Sequence, residues 1–289
     1  MTQTTSIALA AVHRGRSRRK RSITTATGIV SIAITLALVL LAILAPILWG
    51  EASLKQDVLN IFAAPSAEHW VGTDELGRDI LLRGLVATRL SLVLAGLSLV
   101  LAVLLGVTLG LIVGLTRGRW STFGGGIVDA WLGFPAILLA LVIVAILGPG
   151  PTGAVLAIGV AFSPYFARLT MTLATSVSER DYVEAARLAG VPRRRIFTRY
   201  IVPNIGDSLA IAIFAGFGEC LVAVAALSFL GLGTKSPETD WGQLLTEGVR
   251  NIYTAPAAAA FPAVLIALAG IAMALLGDVV ARELNPRRS

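Results

Sequence analysis

Long apolar runs dominate the chain, and each one ends abruptly in a short polar stretch. A bilayer-crossing helix needs roughly 20 mainly apolar residues. Six runs qualify, near Ile23–Leu48, Leu85–Leu115, Gly125–Leu147, Gly153–Leu173, Ser208–Leu230 and Ala257–Val280. The second is long enough to tilt or to project past the lipid. The pattern predicts an all-α polytopic membrane protein with six transmembrane helices. Its parts are a basic N-terminus (1–22), a first transmembrane helix (23–49), a segment at 50–84, a core at 85–280 with loops at 174–207 and 231–256, and a tail at 281–289.

Glycine and proline punctuate these runs. Gly106, Gly110 and Gly114 form a GxxxGxxxG face on the second span, which admits a close helix neighbour. That neighbour lies either within the chain or in another subunit. "GFP" (Gly133–Pro135) and "SP" (Ser163–Pro164) are expected to bend the third and fourth spans, and "GPGP" (Gly148–Pro151) to form a tight turn.

Composition agrees with a lipid environment: 56% of the 289 residues are hydrophobic and 14% are charged. Soluble domains carry roughly 25% charged residues. The formal charge of +7 alone would allow a nucleic-acid partner, but its distribution argues for topology instead. Six basic residues lie at the N-terminus (Arg14, Arg16, Arg18, Arg19, Lys20, Arg21), two in 116–124, six in 174–207 and three in the tail, 17 in all. The opposite side holds five: Lys55, Arg78, Arg83, Lys235 and Arg250. The positive-inside rule then puts both termini and the 174–207 loop in the cytoplasm, and 50–84 and 231–256 outside.

The basic N-terminus does not read as a signal peptide, because its apolar run is too long for one and "APILWGEAS" is a poor cleavage site. The lone cysteine, Cys220, sits in an apolar run and reads as a small packing residue, with no cysteine-based metal cluster to join.

Few ionisable residues enter the spans. Arg168, Asp129 and Asp278 lie near the inner interface, whereas Glu219 is the deepest. An intramembrane carboxylate is either a pathway residue or a protonated hydrogen-bonding group between helices, and both readings stand. His69 with Asp74 and Asp79 invites a hydrolase or metal reading, but no GxSxG or HExxH motif accompanies them. A structured rim turning at Gly72 and Gly77 is the simpler reading, with Trp70 and Trp241 as headgroup-level anchors.

One stretch interrupts the apolar pattern, "DYVEAARLAGVPRRRIF" at residues 181–197. Ser178 is expected to cap a helix through "SERDYVEAARLAG", with Glu179 and Asp181 near the positive end of its dipole. Gly190 suits a helix stop and Pro192 the start of a second helix, which Pro203 is expected to halt. Val183, Ala186 and Gly190 fall on one small-residue face. As physics alone, the segment could bind anionic headgroups, nucleic acid, or a soluble cytoplasmic partner. No recognition aromatics support nucleic acid, and the small-residue face modestly favours the docking knob.

Glu184, Ala185, Ala186 and Gly190, with Pro203 downstream, resemble the Glu-Ala-Ala-x3-Gly hallmark of the permease subunits of binding-protein-dependent ABC importers. Tyr200 and Val202 stand where Ile and Leu are common in that family. "HWVGTDELGRDIL" (His69–Leu81) is similar to a segment of the peptide and nickel permeases, as are "SFLGLGTKSPETDWGQLL" and "LLGDVVARELNPR", in which Asn285 replaces a usual Asp.

The resemblance implies a type I importer-like bundle in a prokaryotic cytoplasmic (inner) membrane. Its implied partners are a second homologous permease, two cytoplasmic ATP-binding subunits and an extracytoplasmic substrate-binding protein. ATP and Mg would bind those ATPases, with no cofactor on this chain. The chain has no GxxxxGK[ST] phosphate loop, since "GLGTKS" lacks the Gly-Lys step. Under this reading Glu184, Ala185, Ala186, Arg187 and Gly190 couple to the ATPase, Glu219 is the pathway candidate, and Asp74, Arg78, Asp79 and Trp241 are the binding-protein contact candidates. Gly190→Trp is expected to uncouple transport. The cargo class is a dipeptide or oligopeptide, with nickel or another chelate as the alternative. A secondary transporter would show clear inverted repeats and an intramembrane enzyme converging catalytic groups, and neither is evident.

Overall fold

The computed structural model describes residues 26–116, 118–235 and 238–284. The basic segment 1–22, the first residues of the expected first span, Arg117, Ser236, Pro237 and the tail from Asn285 onward lie outside the described residues. The helices are α1 (Ala26–Leu54), α2 (Ile80–Leu115), α3 (Arg119–Leu132), α4 (Ala136–Leu147), α5 (Pro151–Ser178), α6 (Asp181–Leu188), α7 (Arg193–Ile196), α8 (Val202–Phe229), α9 (Trp241–Arg250) and α10 (Pro256–Leu284). A π turn over Phe197–Ile201 joins α7 to α8. Among the described residues, five helices are long and apolar enough to cross a membrane, with Arg193–Phe229 counted as one. The α3–α4 pair raises the number to six if it is one broken span.

Three prolines behave in three ways. At "GFP" the expected bend is a break, and α3 and α4 meet at 86°. Pro135 offers no N–H and pushes Phe134 out of the helical region. The chain turns there on bonds from Gly133 N to Asp129 O (3.0 Å) and from Phe134 N to Trp131 O (3.1 Å).

Pro164, by contrast, leaves α5 unbroken. Its missing N–H would strand the Val160 carbonyl, and the neighbouring Ser163 hydroxyl donates to that carbonyl at 2.8 Å. Pro203 does not halt the helix either. The ladder loosens into the π turn just before it, Val202 N donates to Phe197 O, and α8 continues to Phe229.

The glycine face of α2 finds its partner inside the chain. A Cβ on Gly106 would lie 2.3 Å from Ser163 O of α5, one on Gly110 would lie 2.4 Å from Ala167 O, and one on Gly114 would lie 2.9 Å from Met171 O. Helices in lipid gain little from hydrophobicity against each other, so this backbone-to-backbone approach supplies the dispersion contact that holds α2 to α5. A central core surrounds the pair, with Leu94 and Ala102 of α2, Val144 of α4, Ile158 and Phe166 of α5, and Cys220 and Val224 of α8 all buried. Cys220 is indeed a packing residue, fully covered and unpaired.

Candidate functional site

The segment after α5 forms a compact helix–turn–helix at one end of the bundle. Ser178 is the last residue of α5, not a cap, and its hydroxyl turns back to Thr175 O at 3.0 Å. Helix α6 instead starts after Arg180, with Asp181 and Glu184 in its first turn and Arg187 in its last, an arrangement that complements the helix dipole. Gly190 stands at φ +76°, where the chain closes a Schellman stop: Gly190 N donates to Arg187 O and Val191 N to Ala186 O, both at 3.0 Å. Pro192 then precedes α7.

The small-residue face does not point outward. Val183 is fully buried and Ala186 is 8% exposed. They sit beside a cluster of Ala174 and Val177 from α5, Ile196 of α7, Ile201 of the π turn, and Ile205 and Leu209 of α8. Apolar side chains near the end of α2 (Leu111, Leu115) pack on the same cluster. Tyr182 and Tyr200 stack across it with ring centroids 6.3 Å apart.

The outward surface of α6 is therefore Glu184, Ala185, Leu188 and Ala189, running into Gly190 and the Arg193–Arg195 arm. Leu188 is 85% exposed and forms the tip. The sequence alone does not single it out, because a leucine in a helix ordinarily reads as core. Beside it lies a groove of about 730 Å³, bordered by Leu115, Thr116, Arg187, Gly190, Pro192 and Arg193.

At the other end of the bundle, Asp74, Arg78 and Trp241, expected as partner contacts, are buried within the chain, and Asp79, expected with them, is half-buried. Asp74 Oδ1 accepts from the N–H groups of Leu76 and Arg78 at 2.8 and 2.9 Å. Its Oδ2 accepts from Arg78 Nε at 2.7 Å and from Arg83 Nη1 at 2.6 Å. Arg83 also donates to Glu247 of α9 at 2.7 Å, so two arginines and two carboxylates clasp the 55–79 segment, α2 and α9 together. Arg83 and Glu247 carry no motif signal and emerge only in three dimensions.

Asp79 caps α2 through Leu82 N (2.9 Å) and binds His69 Nδ1 (2.9 Å), so the His69–Asp79 pair is a structural latch. Gly77, at φ +71°, lies against the Asp57 carbonyl with no room for a Cβ. The Asn60 amide and the Leu59 N–H hold the Asp57 carboxyl below its ordinary range. Trp241 is fully buried, not a headgroup anchor, and donates from Nε1 to Gly84 O and from its backbone N–H to Ser91 Oγ, both at 2.9 Å. Trp70, at 73% exposed, remains on the surface. Asp240, nearly fully buried, accepts from Ser228 Oγ, Thr234 Oγ1 and Gln243 N.

Between the two ends, α5 leaves one side uncovered, and that side is polar: Tyr165, Arg168, Thr172 and Ser176, spaced three or four residues apart, are all exposed. Arg168 pairs with Asp129 of α3 at 3.0 Å, with both side chains about half exposed. Glu219 of α8 is exposed too, in a groove of about 730 Å³ shared with Ile137, Phe162, Ala215, Gly218 and Gly270. A stripe of this polarity is costly against lipid and suits water or another subunit.

The sequence pattern described as "Binding-protein-dependent transport system inner membrane component" matches residues 106–289. The dipeptide transport system permease protein DppC of Alkalihalophilus pseudofirmus is 38% identical over 260 residues, spanning 90% of this chain and 85% of that protein. The glutathione transport system permease protein GsiD of Pectobacterium atrosepticum is 35% identical over 262 residues, 89% of this chain and 87% of that one. The nickel transport system permease protein NikC of Escherichia coli is 33% identical over 260 residues, 88% of this chain and 94% of that one. Among solved structures, an inward-facing form of the MetNI methionine ABC transporter shares the fold, with a TM-score of 0.59 at 20% identity over 71% of this chain and 96% of that chain. The knob cemented onto the ends of the spans, the buried rim and these relatives lead to one conclusion: the chain belongs to the inner-membrane components of binding-protein-dependent transport systems, the permease subunits of ABC importers.

Proposed function

We propose that this permease forms one half of the translocation pathway for a peptide-like solute, with α6 as its coupling helix. A second homologous permease supplies the other half, two cytoplasmic ATP-binding subunits grip the coupling helices, and a substrate-binding protein delivers the solute from outside. ATP and Mg act on the ATPases. The charge distribution supports both termini and the 174–207 loop lying in the cytoplasm, with 50–84 and 231–256 outside.

The observation that carries the reading is the mechanical continuity at the base of α6. Its inner face is packed onto α2, α5 and α8 together, while Glu184, Ala185 and Leu188 face outward. A push on the outer face is passed directly to three spans, and closure of the ATPase pair shifts the population between inward- and outward-facing states. Arg187 borders the adjoining groove, and Gly190 sets the stop that aims the helix. The polar side of α5 and the Glu219 groove line the path.

The dipeptide, glutathione and peptide permease relatives favour a peptide-like cargo. A nickel chelate is the second reading, favoured by the nickel permease relative. Uptake of labelled dipeptide against labelled nickel chelate by the reconstituted transporter separates the two.

The coupling assignment is tested with Leu188→Asp. Because Leu188 touches solvent, the variant should insert and assemble with its second permease normally. Its uptake and its binding-protein-stimulated ATPase activity should both fall by about tenfold or more, the scale of losing one central apolar contact. Uptake and stimulation equal to the parent would refute the role of α6.

A further inference from the structure

Glu219 is left unmatched among the described residues. It lies ten residues before the end of α8 at Phe229, roughly 15 Å along a helix axis, which is about half the hydrocarbon thickness of a bilayer. Its carboxylate is exposed and makes no hydrogen bond or ion pair among the described residues. Phe162 of α5 lines the same groove as Glu219. The two helices meet here, since a Cβ on Gly216 would lie 2.9 Å from Phe166 Cζ. The groove around the carboxylate is otherwise apolar and small-walled, with Gly218 facing Gly270. A lone acid in an apolar, mid-membrane recess with an aromatic neighbour is built to receive one positive charge. The carboxylate supplies the counter-ion, and the aromatic face adds cation–π attraction.

Resting on the pathway reading above, we infer that Glu219, with Phe162 in the same groove, is a mid-membrane subsite for one ammonium group of the passing solute. The rest of the groove carries no second charge to fix the solute. The site therefore holds the cation only loosely, as a relay must if the solute is to leave.

The test uses the assembled transporter with Cys220→Ser as background and Ala215→Cys as reporter. Ala215 is exposed, lines the groove and sits one helical turn before Glu219. Three water-soluble methanethiosulfonates are compared: neutral hydroxyethyl, cationic trimethylammonioethyl and anionic sulfonatoethyl. The expected result is reaction with the neutral and cationic reagents, a strong preference for cation over anion, and a collapse of that preference by about tenfold in Glu219→Gln. A unit charge within a few ångströms in a medium of intermediate dielectric supports a ratio of that size. Reaction with the neutral reagent but a ratio indifferent to Glu219→Gln overturns the cation subsite and leaves the pathway reading standing; a Glu219 already paired with a cation of the second permease gives this result. No reaction with any of the three means that water does not reach the groove, and the pathway reading falls along with the subsite.

Discussion

Gly190 and Gly106 are both constrained glycines, but for different reasons. At Gly190 the backbone is left-handed and the space around the missing Cβ is empty, so substitution is limited by conformation alone. Gly190→Ala should cost about 1–2 kcal/mol, read as a modest fall in melting temperature of the purified complex. Gly106 meets the Ser163 carbonyl directly, so Gly106→Val must pry α2 from α5, and it is expected to prevent stable assembly.

The rim makes a third prediction at this scale. Asp74→Ala leaves two buried guanidinium groups facing one carboxylate, a loss of about 3–5 kcal/mol, visible as early thermal unfolding with α6 untouched. The glycines and the "GTDELGRD" spacing were legible in the sequence. The inward facing of Val183 and Ala186 was not, because it depends on Ala174, Ile196 and Ile205 arriving from other helices. Asp74, Arg78 and Trp241 likewise looked like surface residues until Arg83, Glu247, Gly84 and Ser91 closed around them.

Among the elements, proline context decides the outcome, and local sequence reports only that something must give. Pro135 follows Phe134, whose side chain repairs nothing, and the span breaks there, while Pro164 follows a serine that repairs the ladder. This yields a coupled prediction. Ser163→Ala should destabilise α5 by about 1–3 kcal/mol by stranding the Val160 carbonyl. In a Pro164→Ala background, where the backbone N–H returns, the same change should cost far less. A double-mutant cycle on melting temperature measures the difference. Pro203 shows the limit of reading such signals from sequence. Its effect is displaced into the preceding π turn, which keeps α7 and α8 mechanically continuous and ties the loop carrying α6 to a span.

Over the whole molecule, five of the six expected spans were written plainly in hydropathy, since lipid demands long apolar helices, and the third is instead the α3–α4 pair, bent by 86°. Which helix pairs with which was foreshadowed only by the glycine face of α2, and its partner α5 could not be chosen without the structure. The division of labour follows from the ends of the bundle. One end is locked by a buried ionic clasp, and the other presents an exposed knob whose root touches three spans. The central claim is that this knob docks on an ATP-binding subunit. The direct measurement is photocrosslinking from Leu188→Cys, in the Cys220→Ser background, carrying a short benzophenone in membranes that hold the whole transporter. The account predicts a covalent product with the ATP-binding subunit, weakened by Ala185→Arg; label recovered only in lipid or in this chain itself would contradict it.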